Sequence, residues 1–111
     1  MKLIRIIKSS NQYRYHATTK GAVRSIAESG LIPNEGQYGT GVYFAPSEQE
    51  ALDWTDDTTG GKVLLRVSLD NLKKFDYDEF PEQGWTSEAI PPQYIEIKSR
   101  NGNWIKIQEI F

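Results

Sequence analysis

The sequence predicts a small α+β domain, and three observations carry that prediction. Six or seven strand-like runs accompany only two clear helical patterns, and the two kinds do not alternate as βαβ units would. Each helical pattern carries its own start or stop signal. Near the end of the chain, Asn101-Gly102 separates two apolar runs, the strongest short hairpin signal.

Taken in order, residues 3–7 form a β-branched run that predicts a strand, and Ser9-Ser10-Asn11 predicts a turn. A second strand is expected over 13–17, with Tyr13, Tyr15 and Ala17 on one face and Arg14 and His16 on the other. Thr18 or Thr19 can cap the helix that follows, where Ala22, Val23, Ile26 and Ala27 recur at helical spacing. Gly30 supplies the left-handed stop. Residues 34–41, rich in Gly and polar side chains and containing Tyr38, read as a loop. A short buried strand is expected over 42–45, with Val42 and Phe44 on one side and Tyr43 on the other. Ser47 and Glu50, three apart, form a capping box for a helix ending near Trp54. Residues 56–61 are a polar turn, and 62–69 is the most strand-like segment of the chain. One helical turn is expected over 70–74, an acidic, aromatic loop over 75–84 and a short strand over 85–89. Strands over 94–98 and 104–110 flank the Asn-Gly turn.

The chain has 111 residues, the size of one domain, and 38% are hydrophobic, which is too apolar for disorder. Thirteen basic residues against fifteen acidic ones argue against wholesale electrostatic capture of nucleic acid, although a local basic strip is compatible with that balance. No cysteine is present, which excludes disulfides, thiolate metal sites and a cysteine nucleophile. With His16 as the single histidine, a zinc site is not expected. No apolar run approaches the roughly 20 residues of a membrane span, so no membrane partner is expected. The apolar block over 3–7 is short for a secretory signal and contains Arg5. A cytoplasmic location is therefore expected, although a domain cut from a larger secreted protein would look the same.

Two short stretches carry chemistry: Tyr15-His16-Ala17-Thr18-Thr19 and Gly39-Thr40-Gly41-Val42-Tyr43-Phe44-Ala45. Together with a helix ending at Gly30-Leu31, a Val-Leu-Leu-Arg-Val run over 63–67 and Ile90-Pro91-Pro92-Gln93-Tyr94-Ile95, this ordered set resembles one family. It is that of the ADP-ribosyltransferases, in the diphtheria-toxin and poly-ADP-ribose-polymerase branch known by its His-Tyr-Glu triad. The last element also looks like the catalytic half of RNA 2′-phosphotransferases, which share the fold. The resemblance covers roughly 13–97. It implies split antiparallel β-sheets with two short helices, whose cleft holds NAD+ as a substrate without any metal. The implied reaction releases nicotinamide and transfers ADP-ribose to an acceptor.

On that resemblance, His16 matches the histidine that hydrogen-bonds the adenosine ribose, and Tyr43 the tyrosine that stacks on nicotinamide. Ala17 stands where the family usually has Gly, at a position whose main chain grips the carboxamide. Thr18 fits the small hydroxyl position beside it. The family acid, counted back from Ile90, falls on Gln83 with Glu82 adjacent. Glu82 is favoured, with a bulge at Gly84, and Glu79 and Glu88 are the fallbacks. Gln83 could brace a ribose hydroxyl but could not offset cationic charge. Arg14 shares the face of His16 and can serve the NAD+ pyrophosphate. Arg66 is a further phosphate or acceptor contact if it faces the cleft.

The expectation is a minimal single-domain mono-ADP-ribosyltransferase spanning 1–111, of the bacterial toxin or phage-effector kind. Its acceptor can be protein, nucleic acid or a small molecule, and a toxin of this kind would have a neutralising antitoxin or immunity protein. The alternatives are an RNA 2′-phosphotransferase-like enzyme, or a non-catalytic module of the same fold that binds NAD+ or a partner. The third possibility is an unrelated α+β domain.

Overall fold

The computed structural model describes residues 12–36, 39–54, 61–79 and 84–110. The expected strand over 3–7, Tyr38, the turn over 56–60, and the acid candidates Glu82 and Gln83 lie outside them. The described residues form a small α+β fold with two antiparallel sheets and a few short helices.

The strands are β1 (Tyr13–Thr19), β2 (Asn34–Gly36), β3 (Gly39–Tyr43), β4 (Lys62–Ser68), β5 (Trp85–Thr86), β6 (Glu96–Lys98) and β7 (Trp104–Lys106). Three α-helices join them: α1 (Val23–Ser29), α2 (Glu48–Trp54) and α3 (Leu69–Leu72). One sheet has the order β1-β4-β6-β7 and the other β2-β3-β5. The sheets meet where Tyr15 and Ala45 exchange both backbone hydrogen bonds, at 2.9 and 2.7 Å. That junction brings the His16 strand against the end of the Tyr43 strand.

Most strands follow their side-chain pattern. In β4, Leu65 and Val67 turn into the main core with Phe44, Leu72, Ile90, Ile95 and Ile107. On the other face, Leu64 packs with Ala45 and Ala51, and Tyr15, Ala17, Leu52 and Trp104 pack around them. The alternation of β4 thus separates two apolar clusters, as a period of two requires. The Asn-Gly turn forms as expected, with Gly102 at φ 91° and Ser99 donating to Gly102's neighbour Asn103 at 2.7 Å across it. 

Several boundaries differ from expectation, each for a local reason. The described residues of the Gly-rich stretch, 34–36 and 39–41, pair as strands rather than forming a loop: Asn34 pairs with Gly41 and Gly36 with Gly39. The strand over 85–89 stops at Thr86, whose buried hydroxyl bonds the Phe75 carbonyl and accepts from the Glu88 amide at 3.1 Å. Tyr94 lies in a 3-10 turn, Pro92–Tyr94, because Pro at the start of that turn has no amide for a ladder. β7 ends at Lys106, where the chain enters the 3-10 turn Ile107–Ile110 and the Ile107 amide donates to Ile95 at 3.0 Å. Thr19 occupies the cap position of the turn before α1, yet no side-chain cap bond forms. The capping box at α2 does form its first half, the Glu50 amide donating to Ser47 Oγ at 3.2 Å. No helix among the described residues is long and apolar enough to cross a membrane.

Candidate functional site

His16 is the fourth residue of β1, on the face shared with Arg14 and Thr18. Its Nδ1 lies 2.8 Å from the Tyr43 carbonyl oxygen, so a residue of one sheet is tied to the backbone of the other. A carbonyl only accepts, so Nδ1 carries the proton and Nε2 is left as an acceptor. Burial pushes the imidazole pKa below its ordinary value, and the bond to the Tyr43 carbonyl opposes that only in part. His16 is therefore a neutral ring with a defined tautomer at pH 7. Phe44 meets it edge-on, with ring centres 6.0 Å apart.

Tyr43 closes β3. Its ring stacks on Trp85, its cross-strand partner, with centroids 5.8 Å apart and planes 17° from parallel. Its hydroxyl donates to the Gly39 carbonyl at 2.6 Å. Gly36 lies against this ring and Gly41 against Trp85, and a Cβ at either position would run into the aromatic. The glycines that made this stretch look like a loop are the ones that let the two rings lie flat on a strand pair.

His16 and Tyr43 form the wall between two unequal hollows. The larger, about 290 Å³, also has Thr18, Ser25, Asn34 and Glu35 in its lining. The smaller, about 90 Å³, is bounded further by Tyr15, Ala17, Ala45, Ala51 and Trp54. Trp54 and Ile32, 47% and 54% exposed, are the large apolar side chains that the described fold leaves in solvent. Trp54 stands at the smaller hollow and Ile32 at the larger.

Arg14 lines neither hollow. Its guanidinium forms an ion pair with Glu79 and donates to the Tyr13 carbonyl at 2.9 Å. The pair brings Glu79 to the face of β1 that carries His16. Beside it, burial pushes the Tyr77 phenol up to about 12, with Arg14 pulling the other way. Arg66 does not face the cleft. It lies between the rings of Tyr13 and Trp104, 3.8 and 4.4 Å from their centres, and its Nε donates to Glu96 at 2.6 Å. That is a stacked, paired arginine on the opposite face of the sheet from His16.

Glu88 is exposed and lines neither hollow. Glu82 and Gln83 fall in the interval between Asp78 and Trp85, which exchange both backbone hydrogen bonds at 2.8 Å. Trp85 in turn pairs with Tyr43. The structure thus brings together His16, Ala17, Thr18 and Tyr43, and adds Trp54, Ala51, Trp85 and Glu35. Ala51 and Trp54 had a usable signal, since residues three apart on a helix share a face.

The chain matches no known family model, and comparison with curated proteins returns no match.

Proposed function

We propose that the protein is an NAD+-dependent ADP-ribosyltransferase working at the His16–Tyr43 wall. One observation carries the reading: two residues from different sheets, joined by a 2.8 Å hydrogen bond, divide a small hollow from a larger one whose mostly apolar lining also carries Thr18, Ser25, Asn34 and Glu35. A dinucleotide has that division of parts. The smaller hollow, about 90 Å³, is below the roughly 150 Å³ cavity that takes a benzene ring, so it would hold part of the nicotinamide ring and leave the rest against exposed Trp54. Nicotinamide would sit there between Tyr43 and Trp54, over the methyl groups of Ala17 and Ala51. The adenosine side would occupy the larger hollow, with a ribose hydroxyl donating to His16 Nε2.

In the reaction, the bond from C1′ of the ribose to the nicotinamide nitrogen breaks, and its electron pair leaves with neutral nicotinamide. The acceptor nucleophile bonds to C1′ and gives up its proton. The developing cation needs a carboxylate, and fixed polar groups supply most of such barrier lowering. Glu82 keeps that role in this reading, and Glu79 is the alternative that the Arg14 pair holds at the same strand.

The test is nicotinamide release from NAD+ by purified protein. Release by the wild type, with a loss of about 10²-fold or more in His16→Ala and Tyr43→Ala, is the expected result. Glu82→Gln and Glu79→Gln then identify the acid. Absence of release from wild type, with NAD+ still bound, would support a second reading. The Arg14–Glu79 pair favours it: with the acid engaged by arginine, the fold would be a non-catalytic NAD+-binding module.

A further inference from the structure

A concentration of positive charge lies outside the two hollows, at the end of the larger sheet. There, Lys20 leaves β1, Lys62 opens β4, Lys98 closes β6 and Arg100 sits in the turn to β7. With Glu48 and Leu52 of α2 they line a groove of about 360 Å³. Among the described residues, four cations face one carboxylate in this groove, on a chain whose formal net charge is −2. The excess is not diffuse surface charge: strand order places β1, β4 and β6 side by side, so their ends converge.

Two of the cations build the groove. Lys62 Nζ donates to the Leu52 carbonyl at 2.8 Å, and Lys98 Nζ pairs with Glu48 at 2.8 Å. These bonds hold α2 against the sheet end and fix the groove's width. Lys20 and Arg100 are exposed, and neither has an ion-pair partner among the described residues. Trp104 lies under Lys98, its ring 6.0 Å from the ammonium. The groove shares α2 with the smaller hollow: Glu48 and Leu52 line one, Ala51 and Trp54 the other. A seven-residue helix is only about 10 Å long, so the two are neighbours.

We infer that this groove docks a single strand of nucleic acid through its phosphates. Cations set in a concavity suit one backbone; a duplex, being convex and wide, meets cations on ridges or inserted elements. Lys20 and Arg100, unpaired among the described residues, are available to phosphates, and Lys62 and Lys98 add their field without leaving their structural partners. That such a strand is also the acceptor of ADP-ribose rests on the function proposed above. The docking itself does not.

The experiment is fluorescence anisotropy with a labelled single-stranded oligonucleotide of about twelve residues, within the site sizes usual for such grooves. No NAD+ is added, so failure here and failure of nicotinamide release are separate results. Wild type is compared with Lys20→Glu/Arg100→Glu, and with Lys73→Glu/Lys74→Glu, which makes the same charge change outside the groove. Lys20→Ala/Arg100→Ala repeats the test without charge reversal, and circular dichroism checks that each variant folds. Wild type is expected to bind with a log-affinity slope against log salt of about −2 to −3. The groove pairs should lose about tenfold or more in affinity and flatten that slope by about 1.4. The control pair should change affinity by less than about threefold by the same screening argument. Three results would overturn the inference: no binding at low salt, equal losses in groove and control variants, or duplex bound as tightly as single strand. Displacement of the strand by equimolar inorganic phosphate would also overturn it, since it would mark a site for a small anion.

Discussion

At the scale of single residues, His16 carries the most information. Its Nδ1 bond to the Tyr43 carbonyl decides which nitrogen faces a ligand, and burial keeps the ring neutral. The same burial makes His16 a stability sensor. Its folded pKa lies below the ordinary value of 6.5, so the unfolded chain binds the proton first as pH falls. The stabilising contribution is full above pH 6.5 and is lost as pH falls from there through the folded pKa. Wild type should therefore lose more thermal stability between pH 7 and pH 5 than His16→Gln does. Parallel curves for the two proteins would show that His16 titrates alike in both states. The residue scale is also where the sequence was most readable. The alternation of β1 correctly put His16 and Arg14 on one face and Tyr15 on the other. It could not show that Arg14 is held by Glu79, because that pair joins positions far apart in the chain. Arg66 was open in the sequence, facing the cleft or not. Its stack between Tyr13 and Trp104 requires four strands to be in register.

At the scale of elements, the site depends on short pieces fixed at their ends. The link after α1 is the clearest case. Gly30 has φ 84°, and Leu31 exchanges both backbone bonds with Ile90 at 2.9 Å immediately after it. A Cβ at Gly30 would strike the Ile90 carbonyl, part of a backbone bridge that cannot swing aside. Gly30→Ala should cost at least about 2 kcal/mol, from a positive-φ, extended-ψ conformation (84°, −171°) that essentially only glycine adopts and from the clash together. A change of under about 0.5 kcal/mol in urea unfolding would mean that α1 leaves by another path. This stop was legible, because Gly after an amphipathic helix is a common pattern. The β2–β3 hairpin was not. Its sequence has the composition of a loop, and what makes it a strand is aromatic cover from Tyr43 and Trp85 over Gly36 and Gly41. Helix α2 was legible at its start through Ser47, but its docking against β1, which turns Ala51 and Trp54 into pocket walls, was not.

At the scale of the whole molecule, two antiparallel sheets meet at the Tyr15–Ala45 bridge, and the candidate site lies at that meeting. The α+β class followed from the order of patterns, because local signals suffice for it. The division of the chain into these two sheets depends on long-range pairing that no local pattern encodes. Charge shows the same limit. A balance of −2 conceals a groove assembled from positions 20, 62, 98 and 100, which only the sheet order brings together. Both the groove and the hollows are consequences of topology acting on an ordinary composition.

Binding of NAD+ at the His16–Tyr43 wall is tested by calorimetric titration of NAD+ into the folded protein, compared with His16→Ala and Trp54→Ala. It asks for binding alone and is independent of the acceptor and of the acid. Wild type should bind saturably and one-to-one, and each variant should bind at least about tenfold more weakly, equivalent to about 1.4 kcal/mol. No heat of binding from wild type, or the same affinity in all three proteins, would contradict binding at that wall.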